Sequence, residues 1–199
     1  MSTILASPWK ALAAGGMVSL LLALIYMLAG GNLGHEFAAV VLRWLHVLSA
    51  IVWIGLVWFV NFVQLLALQE VEDAGRATIA KTIAPRVAFW FRHAASGTVL
   101  AGLLLAALNG QLLIGFTFGL LEGFHSRKIM LGVGIWIGIV MWVFVHMLIW
   151  PNLKIVLGLV AADDDAKAMA RQKVRNYARK NLILSLPVTF AMIAAAHGG

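Results

Sequence analysis

Five apolar stretches limit what this chain can become. They cover about residues 11–30, 39–67, 87–109, 127–151 and 181–196. A helix of about 20 apolar residues crosses the roughly 30 Å hydrocarbon layer of a bilayer. The first four stretches reach that length, and the fifth is shorter and holds Pro187, which predicts a kink. No strand pattern or internal repeat is visible, and lipid leaves helices as the only spanning form for such runs. The expected fold is all-α: one integral membrane domain, residues 1–199, with five transmembrane helices.

Composition agrees with lipid as the solvent. The chain is 62% hydrophobic and 12% charged, against about 25% charged in soluble domains. Its 19 glycines and 8 tryptophans suit helix contacts and bilayer interfaces. The absence of cysteine excludes disulfides, thiolate metal sites and c-type heme attachment through C-x-x-C-H. Methionines are scattered without a cluster, which argues against a copper thioether site. The first apolar run is of spanning length, so it is expected to be a retained helix rather than a cleaved signal.

The net charge of +7 does not point to nucleic acid, because the basic residues lie between the apolar runs. Twelve of the fifteen fall on the face that holds the N-terminus: Lys10, Arg76, Lys81, Arg86, Arg92, Lys154, Lys167, Arg171, Lys173, Arg175, Arg179 and Lys180. Arg43, Arg127 and Lys128 fall on the other. Lys and Arg collect on cytoplasmic loops. The N-terminus is therefore expected in the cytoplasm and the C-terminus in the periplasm of a bacterial inner membrane. The segment 162–180, ADDDAKAMARQKVRNYARK, reads as a polar cytoplasmic connector helix. Its three aspartates suit the start, and Arg179 and Lys180 suit the end.

Six histidines carry the chemical interest. His35 and His197 lie outside the runs and are expected to be exposed. Ionisable groups within spans are rare and mark functional sites by default. His93 follows the entry of the third run by about five residues, and His146 precedes the exit of the fourth by as many. At about 1.5 Å per residue, both sit roughly 7–8 Å below the same surface. Two histidines at one depth on sequential antiparallel helices could hold a b-type heme between them. His46 and His125 occupy the opposite leaflet, less well matched in depth, and could hold a second heme or contribute to one. Arg43 and Arg92 lie within one turn of these candidates and could pair with heme propionates. The bland alternatives stay open: histidines bonded to main-chain carbonyls or hydroxyls, and arginines snorkelling to the interface. Asn61 and Gln64 are expected to hydrogen-bond across helices.

The runs "LRWLHVLSAIVWIGLVWFVNFVQ", "APRVAFWFRHAASGTVLAGLL" and "IGIVMWVFVHMLIWPNLKIVLG" resemble the membrane domain of bacterial cytochrome-c-type urate oxidases and their short stand-alone relatives, over about residues 38–198. A more distant likeness, through "LHV…W.G" and His125 with Lys128, extends to heme-b membrane protoporphyrinogen oxidases. The resemblance implies a helical membrane bundle with b-type heme and redox work, and it supports His46 and His125. Urate oxidation is not carried over, because the cytochrome c domain of the full enzymes has no counterpart here. The pair at 93 and 146 rests on depth alone. The expected function is electron transfer through one or two b hemes, with His46, His93, His125 and His146 as ligands. Quinone, a periplasmic cytochrome c, a larger complex or a second copy are the expected partners. The alternatives are a heme-dependent oxidase of a small reductant or porphyrinogen, and an accessory subunit of a respiratory complex.

Overall fold

The computed structural model describes residues 2–123 and 125–198. Five helices are long and apolar enough to cross a membrane: α1 (Pro8–Leu28), α2 (His35–Glu70), α3 (Asp73–Leu108), α4 (Ser126–Val156) and α5 (Asp164–His197). No strand occurs among the described residues. The protein is thus an all-helical, multi-pass membrane protein, as the apolar runs require.

Contacts within the chain gather into two units, residues 1–41 and 42–199. In the first, Pro8 opens α1 at a position where its missing N–H costs nothing. None of α1's residues is buried. The rings of Tyr26 and Phe37 stack with centroids 6.1 Å apart across the turn that follows, where Gly30 takes φ +98°.

The second unit holds the core. Trp53 and Val57 from α2 meet Phe91, Ala94 and Ala95 from α3, Met141, Val145 and Ile149 from α4, and Val188 from α5. The outward faces carry Leu100, Leu104, Phe190 and Ile193, exposed as lipid-facing residues are. Small residues let the helices approach, as packing in lipid favours. Gly132 shows how closely: a Cβ there would lie 2.7 Å from the Gly115 carbonyl oxygen and 2.9 Å from the Phe118 Cα. Both are backbone atoms, so neither can swing away. Gly132→Ala is expected to destabilise the bundle by about 1–3 kcal/mol, read as a lower unfolding midpoint in detergent.

One expectation about the fifth run needs correction. The polar segment is not a separate helix ended by Arg179 and Lys180; it continues into the span as one 34-residue helix. Asp163 caps its start, accepting from the Ala166 amide at 2.7 Å. Between Lys180 and Asn181 nothing breaks the helix, so the charges mark a membrane boundary and not an end. The helix also continues through Pro187. This extension makes up for the short apolar run.

Three spans contain a π-helical segment: Val60–Gln64 in α2, Ile79–Ile83 in α3 and Phe144–Ile149 in α4. All three lie toward the helix ends that carry the basic residues. Such segments insert a residue into the helical ladder and recur at functional sites.

Candidate functional site

His46 is half-buried on α2 and reaches α3. Its Nδ1 lies 2.8 Å from the Thr98 carbonyl oxygen. A carbonyl only accepts, so Nδ1 carries the proton and Nε2 keeps its lone pair. Gly102, one turn further along α3, makes room for the ring: a Cβ there would fall 2.7 Å from both Nδ1 and Cε1. Ser49 does the same against Gly97, where a Cβ would meet its hydroxyl at 2.9 Å. Arg43 sits one turn before His46 on α2 and is exposed.

His125 is placed differently. It is the N-cap of α4, with extended φ −117° and ψ 128°, and is exposed. Its main-chain oxygen accepts from the Ile129 amide at 3.1 Å. His46 is eleven residues inside α2, so the two differ in depth by more than the sequence suggests. Next to His125, Lys128 pairs with Glu122 at 2.8 Å, and Arg127 donates to the Ala195 and Ala196 carbonyls at the end of α5.

His93 and His146 share one local design. The His93 Nδ1 donates to the Phe89 carbonyl at 2.8 Å, and the ring lies 4.2 Å from the Phe89 ring. The His146 Nδ1 donates to the Trp142 carbonyl at 3.1 Å, and the ring stacks on Trp142 at 4.5 Å. Each imidazole is therefore held by the carbonyl and the aromatic ring four residues earlier, one turn back along the helix. They differ at Nε2. His93 is exposed and no described residue bonds its Nε2, whereas the His146 Nε2 lies 3.2 Å from the Ser96 hydroxyl. Trp142 Nε1 donates to that same hydroxyl at 3.1 Å. His146 thus has both nitrogens engaged, as a histidine serving packing alone would.

Arg92 precedes His93 on α3. Its guanidinium lies 4.0 Å from the centre of the Trp150 ring, and its Nε is buried with no acceptor. The cleft beside it is lined by Ala88, Phe91, Val145, Ile149 and Trp150. A buried cationic donor without an acceptor is costly, and an anionic group would satisfy it.

His35 and His197 are exposed, as expected. Asn61 makes its expected bond across helices, Nδ2 to the Ala178 carbonyl at 3.2 Å. Sequence reasoning did not find Thr98, Gly102 or Asn181. Gly102 carried a signal: it falls seven residues after Ala95 and fourteen after Ala88, both buried, on the inward stripe of α3. Among the described residues no three His, Cys, Asp or Glu side chains gather where they could hold a metal ion.

A family model described as "Urate oxidase N-terminal" matches residues 92–198, more than half of the chain. The match includes Arg92, His93, His125 and His146, and it begins after Arg43 and His46. No curated protein and no solved structure matches. On the family match, the chain belongs to the urate oxidase N-terminal family.

Proposed function

We propose that this protein is a membrane-embedded b-type cytochrome that moves electrons within or across a bacterial inner membrane. The observation that carries the proposal is common to His46, His93 and His146. Each lies inside a span and donates Nδ1–H to a main-chain carbonyl, at 2.8, 2.8 and 3.1 Å. That second bond is what metal-ligating histidines almost always have: it fixes the tautomer, orients the ring and leaves Nε2 as the ligand atom. Isolated histidines of this kind would suit a heme, which brings its other donors with it.

The residues fit the group as follows. On the basic side His93 and His146 offer Nε2, the latter after release from Ser96. Arg92, with its unmatched Nε, would hold a propionate. On the other side His46 would be the ligand, Arg43, one turn away, would pair with a propionate, and His125 would contribute from the N-cap of α4. A heme bound there supplies a one-electron centre. The chain's own part is to hold the imidazoles through Phe89, Thr98 and Trp142, and to exclude water with Trp142, Trp150 and lipid. The basic face lies in the cytoplasm and the C-terminus in the periplasm, by the positive-inside rule. A quinone or a periplasmic cytochrome c, a larger complex or a second copy would then exchange electrons with it.

The family match favours a second reading, a membrane oxidase of a small reductant, with a heme as electron acceptor. Turnover of an added reductant by the purified protein separates the two.

His93→Ala and His146→Ala, purified separately, test the basic-side pair. Both are expected to lower the heme per chain by the same amount in a pyridine hemochrome assay, with unchanged elution on gel filtration. Native heme content in either variant would contradict the pair.

A further inference from the structure

α2 and α5 meet at the Val60–Gln64 segment, and from there buried polar groups that the histidines do not use continue along both helices. Trp53, Val57, Asn61 and Gln64 recur every three or four residues and so share one face of α2. Ala178, Asn181, Ser185 and Val188 do the same on α5. Asn61 Nδ2 donates to its own Val57 carbonyl at 2.8 Å and across to the Ala178 carbonyl at 3.2 Å, which sets the register. The side chains are enclosed: Trp53 is 2% exposed, Asn61 1%, Asn181 0% and Ser185 1%.

Along this seam Trp53 Nε1, Asn61 Oδ1, Gln64 Oε1 and both amide atoms of Asn181 find no partner within the protein. Exchanging the oxygen and nitrogen of Asn181 changes nothing, since both are unmatched. A buried polar group left without a partner is costly. Three acceptors and two donors lie along these buried faces of α2 and α5, and this mixture selects the ligand. A cation would leave both donors unmet and would sit near Arg179, whose guanidinium donates to the Asn61 carbonyl at 3.4 Å. An anion would leave the acceptors unmet. Water both donates and accepts, and buried waters characteristically satisfy clustered polar groups of this kind.

We infer that the α2–α5 seam binds a row of internal waters running from Gln64, near the basic face, to the level of Trp53, and that it admits solvent protons to the middle of the bundle. None of the lining groups titrates near neutral pH, so the row passes protons without storing one. The π-helical segment Val60–Gln64 belongs to this design, because it carries both Asn61 and Gln64.

Proteoliposomes of the full chain transferred to deuterated water, read by solid-state NMR, test the seam. The Trp53 indole and the Asn181 side-chain amide are expected to exchange quickly. The Trp142 indole, which is bonded to Ser96, should exchange slowly. Asn181→Leu should slow the Trp53 exchange by an order of magnitude or more. If Trp53 and Asn181 in the native protein stay as protected as Trp142, the seam is dry and the inference fails. Unchanged Trp53 exchange in a folded Asn181→Leu variant would overturn it equally, since water would then arrive by another route.

Discussion

His46→Ala is expected to remove the proposed heme that His46 would hold while leaving the bundle folded. The ring is half-buried and touches the protein through one hydrogen bond to Thr98 and its contact with Gly102. Loss of a neutral hydrogen bond costs about 1 kcal/mol, too little to unfold a bundle whose core lies elsewhere, around Trp53, Met141 and Val145. Loss of the ligand atom is another matter, since Arg43 and the exposed His125 offer no imidazole at the same depth. Heme per chain and the difference spectrum read the first effect, and the unfolding midpoint reads the second. Retention of full heme content would remove His46 from the account.

Gly102→Ala separates positioning from ligation. The added Cβ would fall 2.7 Å from Nδ1 and Cε1 of His46, well inside contact distance. The ring is the end of a flexible side chain and can move, so the fold should lose less than about 1 kcal/mol. Once moved, the imidazole gives up the Thr98 carbonyl that fixes its tautomer. Loss of such an outer partner typically weakens binding about 10–100-fold. The expected result is a folded protein that keeps His46 in a displaced position, with a heme titration shifted by that factor. Gly138→Ala is the control, because nothing lies within 4 Å of a Cβ there. Equal affinity in Gly102→Ala and the native protein would mean that the His46–Thr98 bond serves packing only.

The spans were legible because hydrophobic length is a direct consequence of bilayer thickness. Their full lengths were not. α2 and α3 each run for 36 residues, past the apolar runs and into polar sequence at the basic ends. Counting residues puts His93 and His146 at one expected depth, but the direction they face could not be read. In a soluble helix polar residues mark the outer side; in lipid both sides are apolar and that signal is lost. His93 turns out to be exposed while its neighbours Ala94 and Ala95 are buried. The small residues Ala84, Ala88, Ala95 and Ala106 were the readable mark of the inner face of α3. The π-helical segments were not readable, because they depend on how the helices pack. One of them carries His146. Asn181 was hidden by its place after Arg179 and Lys180, where an amide looks like part of a polar connector. Its burial follows only from the continuity of α5.

The reduced-minus-oxidised absorption spectrum of the purified native protein, with a pyridine hemochrome assay for heme per chain, tests the central claim most directly. A b-type spectrum with one or two hemes per chain is the predicted result. A folded, monodisperse protein with no Soret band would contradict it, and the carbonyl-bound histidines would then be packing residues.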